Sequence, residues 1–278
     1  MNFFNLKIDE FYKQKKKKNN FRTNKYWNNF ANFKDPDGKK RNLMSERKKK
    51  IKDLKNEISF IKKNVKIKKP RIIDLGCGFG FFLNEFGKNW EKIGIEVSNL
   101  AIKKNSSNLK IYNFDLEKKL THDKLKLLGK FDVVFTYHVI EHLNNPEQLI
   151  YNSYKLLKNN GFLIIGTPNF DSGCARKFGK KYRFFNDKTH ISYFSENSLF
   201  RLLNKYGFNV EKVDFPFFET EHFNKKNLLR LLNEKKVSPP FYGNIMSFYC
   251  VKKTKKQIQK EKKLLIKNYT ELLKNISK

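Results

Sequence analysis

Cysteine is scarce in this chain of 278 residues, and its three copies, Cys77, Cys174 and Cys250, stand far apart with no CxxC pair. This spacing disfavours both a disulfide framework and a structural zinc site. Long apolar runs are missing too, since no stretch reaches the roughly 18 apolar residues that a membrane-spanning helix needs. The amino terminus, MNFFNLKIDEFYKQKKKK, lacks the continuous apolar segment of a secretory signal. We therefore expect a cytoplasmic protein.

Arginine is also rare, although the chain is strongly basic. Only eight of its 60 basic residues are arginine, and the formal net charge is +33. Arginine is the residue whose paired donors best match phosphates and base edges. The heavy use of lysine, asparagine, isoleucine and phenylalanine is typical of an AT-rich genome, so we attribute most of the charge to codon bias. A nucleic-acid partner is therefore not favoured, although nonspecific binding to polyanions would still follow from the charge.

Two common nucleotide-phosphate motifs are absent. Residues 71–80 read RIIDLGCGFG, a buried-strand pattern followed by three alternating glycines, Gly76, Gly78 and Gly80. A dinucleotide fingerprint would need glycine where the chain has Phe81, and a phosphate loop would need Lys followed by Ser or Thr. What remains is GxGxG with an acid, Asp74, two residues before it. The pattern predicts a strand, a glycine turn that a ligand can approach without meeting a Cβ atom, and then a helix over FFLNEF.

Two further acids end the next two strand patterns. Glu96 ends EKIGIE, twenty residues beyond Gly76, where an acid at a strand tip is placed to bind ribose hydroxyls. Asp115 lies near the end of LKIYNFDL. Three successive strands around one glycine turn thus each carry an acid. Taken singly, each acid could equally be a turn residue at a strand end.

Strand and helix patterns alternate along the middle of the chain, which predicts a parallel sheet covered on both faces. Apolar positions at helical spacing from Ile51 to Ile61, after a plausible N-cap at Ser45, predict a helix ahead of the first strand. A helix over 195–206 ends at Gly207. The predicted strands lie near 71–76, 92–97, 109–114, 131–137 and 161–166, then at NVEKVDFPFF and at 244–253.

The ordered acids and three later motifs resemble the class I S-adenosylmethionine-dependent methyltransferases, over residues from about 70 to 253. These motifs are FDVVFTYHVIEHL at 131–143, NGFLIIGTPN at 160–169 and HISYFSENSLFRLLNKYGF at 190–208. The resemblance implies an α/β, Rossmann-like sheet of seven mostly parallel strands with helices on both faces and the last strand antiparallel. It also implies S-adenosyl-L-methionine as the cofactor, with its methionine part on the glycine turn, its ribose at the second acid and its adenine amine at the third. The cofactor-binding residues carried over are Asp74, Gly76, Cys77, Gly78, Gly80, Glu96, Val97, Asp115, Leu116, Tyr137 and His138.

Methyl transfer from a sulfonium is a direct displacement, so the site must align the acceptor and, for a hydroxyl, help to remove its proton. A histidine-rich cluster follows the fourth strand and would lie beside the glycine turn if the sheet order reverses there, as in the family. His190, beyond the fifth strand, is a second candidate base. The candidate catalytic residues are His138, His190, Glu141 and His142. Purely structural roles, such as capping the next helix or bonding loop backbone, stay open for them.

The run from His138 to His142 also reads H-x-x-E-H, a spacing known from inverted zinc-protease helices. Those ligands need a helix, whereas FDVVFTYH has a strand pattern and Pro146 interrupts the pattern soon after it. We therefore reject a protease. A divalent ion on His138, Glu141 and His142 stays open because imidazoles and carboxylates are competent ligands, but we assign no metal.

The predicted domain organisation has three parts. Residues 1–65 form a basic, helical extension and a candidate lid, residues 66–253 form the methyltransferase domain with an insertion at 219–243, and residues 254–278 form a lysine-rich helix. The loop between Thr167 and His190 interleaves cations with aromatic rings, which could hold phosphate and stack on a sugar or base.

The expected activity is methylation of a small-molecule acceptor, at a hydroxyl or amine of a sugar, a nucleotide-linked sugar or a quinone-like metabolite. This expectation follows the resemblance to sugar and ubiquinone-type O-methyltransferases. An RNA substrate is the alternative within the enzyme class, weakened because no Asn-Pro-Pro-Tyr or Asp-Pro-Pro-Tyr motif follows the fourth strand. A noncatalytic binding module with the same fold is the alternative outside it.

Overall fold

The structure is a computed structural model that describes residues 33–34, 40–42, 46, 51–105, 109–187, 189–254, 256–261, 263–264 and 266. Its strands are β1 (Phe33–Lys34), β2 (Lys40–Arg41), β3 (Arg71–Leu75), β4 (Glu91–Ile95), β5 (Lys110–Tyr112), β6 (Phe131–Tyr137), β7 (Leu157–Pro168), β8 (Phe208–Asp214) and β9 (Ile245–Lys252). Its α-helices are α1 (Lys55–Asn64), α2 (Asn99–Lys103), α3 (His122–Leu128), α4 (Pro146–Leu156), α5 (Gly173–Phe178), α6 (Glu196–Lys205) and α7 (Lys225–Arg230).

Seven strands form one sheet in the order β5-β4-β3-β6-β7-β9-β8. The strands from β3 to β7 are parallel to one another, and β9 lies antiparallel between β7 and β8. The strand order reverses between β3 and β6, so the carboxyl ends of these two strands flank the crevice where open sheets bind ligands. The predicted Rossmann-like sheet with an antiparallel last strand is confirmed.

The two faces of the sheet bury alternate residues of the same strands, because successive side chains of a strand point in opposite directions. On one face, Ile73 and Val134 pack in a core with Leu149 of α4 and Leu199 of α6. The other face buries the neighbouring residues of these strands beneath α1. Strands that are buried on both sides explain the continuous apolar runs in the sequence.

The helix predicted ahead of the first strand is present as α1. Ile61 is fully buried against the sheet, with Leu54 and Ile58 packed beside it. The helix starts after Leu54, which caps it without a side-chain hydrogen bond. Ser45, the predicted N-cap, lies outside the described residues.

The segment after the glycine turn differs from the prediction. Instead of an α-helix, FFLNEF forms a short 3-10 helix, Leu83–Glu85. Only ten residues separate Gly80 from Glu91, the first residue of β4, and they must both bury apolar side chains and return the chain to the opposite edge. Phe82 stacks on Phe135 with ring centroids 3.6 Å apart, so the apolar spacing reflects packing onto the sheet in a compact turn.

Residues 1–32 of the predicted amino-terminal extension and residues 267–278 of the predicted carboxyl-terminal helix lie outside the described residues. The three-part division of the chain stays a prediction. Within the described part, residues 256–261 are helical, and the predicted insertion at 219–243 contains α7. None of the helices described here has both the length and the apolar character that a bilayer crossing requires.

Candidate active site

The glycine turn is fixed between β4 and the end of β6. The main-chain N–H groups of Gly76 and Cys77 both donate to the carbonyl of Ile95, at 2.8 and 3.0 Å. Gly76 has φ +83, and a Cβ atom there would lie 2.4 Å from Cγ2 of Val139. The turn therefore needs glycine both for its left-handed backbone and for its close approach to the neighbouring strand tip.

Glu96 is buried and faces the glycine turn. One of its carboxylate oxygens accepts the N–H groups of Val97 and Ser98, each at 2.8 Å, and the other accepts the N–H of Gly78 at 3.0 Å. Burial raises the pKa of Glu96, and these three hydrogen bonds oppose the rise. A carboxylate has about four acceptor positions, so a further donor, such as a hydroxyl, can still bind to it.

Asp74 lies at the end of β3, buried next to this carboxylate. Burial and the nearby charge of Glu96 raise the pKa of Asp74 well above its usual range. Burial, and then the charges of Asp74 and Glu96, raise the pKa of the Cys77 thiol. Asp74 therefore holds its proton more firmly than an exposed aspartate does, and Cys77 is an unreactive thiol.

The third acid, Asp115, follows β5 at the same edge of the sheet. Its carboxylate accepts the N–H of Glu117 at 3.0 Å, which is a turn within the loop. The side chain of Leu116 belongs to the core, so only its main chain is available to a ligand. The strands that carry all three predicted acids thus end side by side, as the sequence indicated.

Tyr137, at the end of β6, lies flat against β7. A Cβ atom at Gly166 would fall 2.0 Å from Cε2 of the Tyr137 ring, so glycine makes room for the ring. The Tyr137 hydroxyl lies 3.1 Å from Oγ of Ser247, and that oxygen donates to a carboxylate oxygen of Glu57 at 2.6 Å. Tyr137 therefore connects β6 through β9 to α1.

His138 begins the loop after β6 with a positive φ of 56, a conformation that non-glycine residues adopt only where the surroundings impose it. Its main-chain N–H donates to the carbonyl of Gly166 at 2.9 Å. Nδ1 of the ring lies 3.0 Å from a carboxylate oxygen of Glu141, and the side chain is 44% exposed. With the Nδ1 proton directed at the carboxylate, Nε2 carries the lone pair and can accept a proton.

Glu141 is buried, with 2% of its side chain exposed, and it holds this part of the site together. Its second carboxylate oxygen accepts the hydroxyl of Thr167 at 2.9 Å. Burial alone would raise the pKa of Glu141, but the hydrogen bond from His138 and the charges of the surrounding histidines outweigh it and bring the pKa to about 2. Glu141 is therefore ionised throughout the neutral range.

His142 and His190 lie on the other side of Glu141, with ring centroids 4.9 Å apart. Nδ1 of His142 lies 3.1 Å from the carbonyl of Thr189, and Nδ1 of His190 lies 3.0 Å from the carbonyl of Phe184. These bonds assign the proton to Nδ1 and the lone pair to Nε2 of each ring. Burial and then the neighbouring His142 lower the pKa of His190, so its imidazole is neutral near pH 7.

Known proteins match this chain in both sequence and structure. A family model described as a methyltransferase domain matches residues 43–213. The chain belongs to the class I S-adenosylmethionine-dependent methyltransferases. It is an enzyme of that class, and its cofactor is S-adenosylmethionine, as the sequence predicted.

The curated relatives of this methyltransferase include several ubiquinone biosynthesis O-methyltransferases. The relative from Pelagibacter ubique is 32% identical over 111 residues, which cover 37% of this chain and 44% of the relative. The relative from Rickettsia conorii is 35% identical over 121 residues, which cover 41% and 40%. The chain thus spans less than half the length of these relatives.

Solved structures show the same fold at low sequence identity. A SAM-dependent methyltransferase from Archaeoglobus fulgidus has a TM-score of 0.51 and 21% identity, over 76% of this chain and 99% of that chain. Magnesium protoporphyrin IX methyltransferase from Synechocystis with bound SAM has a TM-score of 0.53 and 12% identity, over 84% and 93%.

The crevice of this methyltransferase has the features that its cofactor requires. The glycine turn offers a surface without side chains, the carboxylate of Glu96 has an acceptor position left, and Asp74 lies buried beside that carboxylate. The methyl donor carries a cationic sulfonium and amine, which acidic strand tips favour over a basic lining. The cofactor contacts of individual residues stay predictions.

A second set of residues has the chemistry of a metal site. The ligand atoms of Glu141, His142 and His190 lie within 4.8 Å of one another. Backbone carbonyls on the Nδ1 atoms orient both imidazoles with Nε2 free of its proton, which is how metal-binding histidines are usually held. This set differs from the one weighed on sequence grounds, because His190 replaces His138, whose ring is bonded to Glu141 instead.

All four candidate catalytic residues thus lie in one cluster, although His190 is far from the others in sequence. Two residues that support them were not predicted from the sequence. Thr167 bonds Glu141, and Asp187 lies 3.7 Å from Nε2 of His190. Asp187 had a local sequence signal, because aspartate side chains often accept the N–H of the residue two positions later. Here the N–H of Thr189 donates to the Asp187 carboxylate at 2.9 Å.

Proposed function

We propose that this methyltransferase transfers a methyl group to a hydroxyl or amine of a small-molecule acceptor, either a sugar or a quinone-like metabolite. The observation that carries the proposal is an exposed imidazole, His138, whose Nδ1 is bonded to the ionised carboxylate of Glu141 at the switch point of the sheet. Both curated relatives described above are named as O-methyltransferases, which supports an oxygen acceptor.

For the cofactor, we assign the methionine part to the turn from Gly76 to Gly80, the ribose to Glu96 and the adenine amine to Asp115. The support is their position at adjacent strand ends and the acceptor capacity of the carboxylates. When bound, S-adenosylmethionine supplies an electrophilic methyl group on a sulfonium. The protein residues hold the acceptor in line with that group and remove its proton.

The base in this proposal is His138. Its Nε2 is placed to take the proton of the acceptor hydroxyl, and Glu141 would stabilise the imidazolium that this proton transfer creates. A histidine held by a buried carboxylate is an effective general base because the carboxylate fixes both the tautomer and the ring orientation. His190 is the second candidate, since its imidazole is neutral near pH 7.

Neither arginine of the loop between β7 and α6 supports a phosphate-bearing acceptor. Arg176 pairs with Asp171 through two hydrogen bonds of 2.8 Å. Arg183 is buried, and its guanidinium donates to the carbonyl of Ser238 at 3.3 Å. Both arginines of this loop are therefore used within the protein, and we favour a neutral acceptor over a nucleotide-linked sugar.

The experiment supplies isotope-labelled S-adenosylmethionine and the purified protein to a cell extract and follows the label by mass spectrometry. We expect label in small glycosides or quinone-like phenols. The control is Glu96→Ala, which removes the proposed ribose contact and should weaken cofactor binding in calorimetry by about 100-fold, since hydrogen bonds to a charged group are worth about 1.5–3 kcal/mol each. Label found only in RNA would contradict the small-molecule acceptor.

A further inference from the structure

Among the described residues, the exposed large apolar side chains are concentrated in one segment. Eleven large apolar residues are exposed in the described part of the chain, and six of them lie between positions 218 and 242. These six are Phe218, Phe223, Leu228, Leu229, Leu232 and Tyr242. Single exposed apolar residues are ordinary, but a group of this size marks an interaction surface. We call residues 218–242 the apolar segment.

The apolar segment lies at the edge of the sheet where the candidate active site is. It follows β8, which runs parallel to β3 and β6 because both β7 and β8 pair antiparallel with β9. The carboxyl ends of β3, β6 and β8 therefore point to the same edge. A surface that binds the apolar segment would lie close to the mouth of the crevice.

The helix of this segment, α7, exposes apolar side chains and buries a polar one, which is the reverse of an ordinary surface helix. Its polar residue Asn227 is only 8% exposed, and its amide donates to the carbonyl of His222 at 2.9 Å. In contrast, Leu229 is 55% exposed, and Leu232, just after the helix, is 81% exposed. A surface helix normally buries its leucines and exposes its amides, so these leucines are available to something outside the protein.

An aromatic cluster holds the rest of the segment in place. The ring of Phe217 is buried and lies 5.4 Å from that of Phe218 and 5.5 Å from that of Phe223. Above it, Phe218 lies 5.3 Å from Phe223 and 5.4 Å from Tyr242. The exposed rings therefore contact one another and are ordered before any partner binds, which lowers the entropy cost of binding.

Positive charge accompanies these apolar side chains. Lys225, Lys226, Lys235 and Lys236 are exposed, and none of them forms an ion pair with the described residues. Of the three acids in the segment, Glu219 pairs with Lys55 at 3.5 Å and Glu234 pairs with Lys177 at 2.8 Å. The segment thus presents leucine and phenylalanine together with four lysines that have no ion pair to a described residue.

We propose that the apolar segment binds the surface of an anionic lipid bilayer. Exposed leucines and aromatic rings enter the boundary between headgroups and acyl chains, while lysines contact the anionic headgroups. A second copy of the chain is a poorer partner because each copy carries a formal charge of +33, which opposes self-association. The proposal does not depend on the acceptor, but bilayer binding at this edge would suit an acceptor that is held in a membrane.

The test measures flotation of the full chain with vesicles, either half phosphatidylglycerol and half phosphatidylcholine or phosphatidylcholine alone. We expect binding to the anionic vesicles only. The variant Leu229→Ser with Leu232→Ser keeps every charge and should lower the partition constant by about tenfold, because it removes apolar side chains from the bound surface. The matched control is Leu127→Ser, which changes an equally exposed leucine on α3 and should bind like the wild type.

Thermal melting and calorimetry with S-adenosylmethionine establish that each variant is folded, so lost vesicle binding is separate from lost enzyme function. Unchanged partitioning of the double variant would overturn the proposal, as would an equal loss in Leu127→Ser. A dimer in solution that the double variant dissociates would assign the segment to a second copy instead. RNA binding that rests on charge should be the same in the wild type and in the double variant, which keeps every charge. RNA that binds the wild type but not the double variant would therefore also overturn the proposal, because the leucines would then belong to a nucleic-acid site.

Discussion

The two sides of the crevice both contain buried carboxyl groups, but their pKa values shift in opposite directions. On the cofactor side, burial raises the pKa of Asp74 and of Glu96, and no cationic side chain among the described residues opposes the rise. On the acceptor side, Glu141 is also buried, yet histidines hold its pKa at about 2. The acids of the first side are suited to bind a cationic ligand, whereas the carboxylate of the second side is already bonded to His138 and Thr167.

This difference separates two tasks. A carboxyl group without a cationic partner gains most when a ligand brings positive charge to it, so it favours binding of a cationic cofactor. The carboxylate of Glu141, which is bonded to His138 and Thr167, instead fixes the orientation of a neighbouring imidazole. In the proposed function, carboxyl groups thus bind the cofactor on one side and position a base on the other.

The largest expected effect tests the acceptor side. We predict that His138→Ala or His190→Ala lowers kcat by about 1000-fold, which is within the range for loss of a general base. Calorimetry should show S-adenosylmethionine binding within about twofold of the wild type. His122→Ala, on the exposed start of α3, serves as the control and should retain full activity. If both variants stay fully active with the true acceptor, neither histidine is the base.

The next effect concerns stability. We predict that Glu141→Ala lowers the free energy of unfolding by about 3 kcal/mol, because the change leaves buried polar partners unsatisfied and opens a cavity. Glu141→Gln, which retains the shape and one acceptor oxygen, should lose less. Urea denaturation at pH 7 measures both variants against the wild type. A loss below about 1 kcal/mol for Glu141→Ala would show that the cluster rearranges without this carboxylate.

The smallest effect is a difference in pH dependence. The pKa of Asp74 is raised in the folded protein, so the unfolded chain loses the proton of this carboxyl at a lower pH than the folded chain does. The free energy of unfolding of the wild type therefore falls as pH rises above the usual aspartate pKa. Asp74→Asn cannot lose a proton and should remove this decline, with a change within about 1 kcal/mol at low pH. Glu141 acts in the opposite sense, adding stability as pH rises from about 2.

Melting temperatures measured across pH check the Asp74 prediction. Asp123→Asn, at an exposed position on α3, is the matched control and should follow the wild-type curve. Identical slopes for the wild type and Asp74→Asn would mean that the Asp74 carboxyl titrates alike in the folded and unfolded states.

The sheet could be predicted from sequence because each strand has a local signal. Buried runs such as RIIDL at 71–75 and glycines next to strand ends mark the strands wherever they lie in the chain. The helix after the glycine turn could not be distinguished from the observed 3-10 turn, since the spacing of Phe82, Leu83 and Phe86 fits both. Tertiary packing on Phe135 determined the outcome.

The candidate site was predictable in its parts but not in its pairings. His138, Glu141 and His142 are close in sequence, so their proximity was expected. The pairing of Glu141 with Thr167 and the place of His190 beside His142 depend on how β7 and the following loop return to the sheet edge. The positive φ of His138 could not be predicted, because positive φ is uncommon for any non-glycine residue and nothing next to it in sequence marks the position.

The hydrogen bond between Glu57 and Ser247 joins residues that are 190 positions apart. It ties α1, which precedes the first strand of the central sheet, to β9, which is inserted last and lies between two earlier strands. Such distant contacts slow folding, and during synthesis they must wait until the carboxyl-terminal strand has left the ribosome. The covering of one sheet face by α1 is therefore completed only after translation has passed β9, and a nascent chain that lacks this strand exposes the edges of β7 and β8.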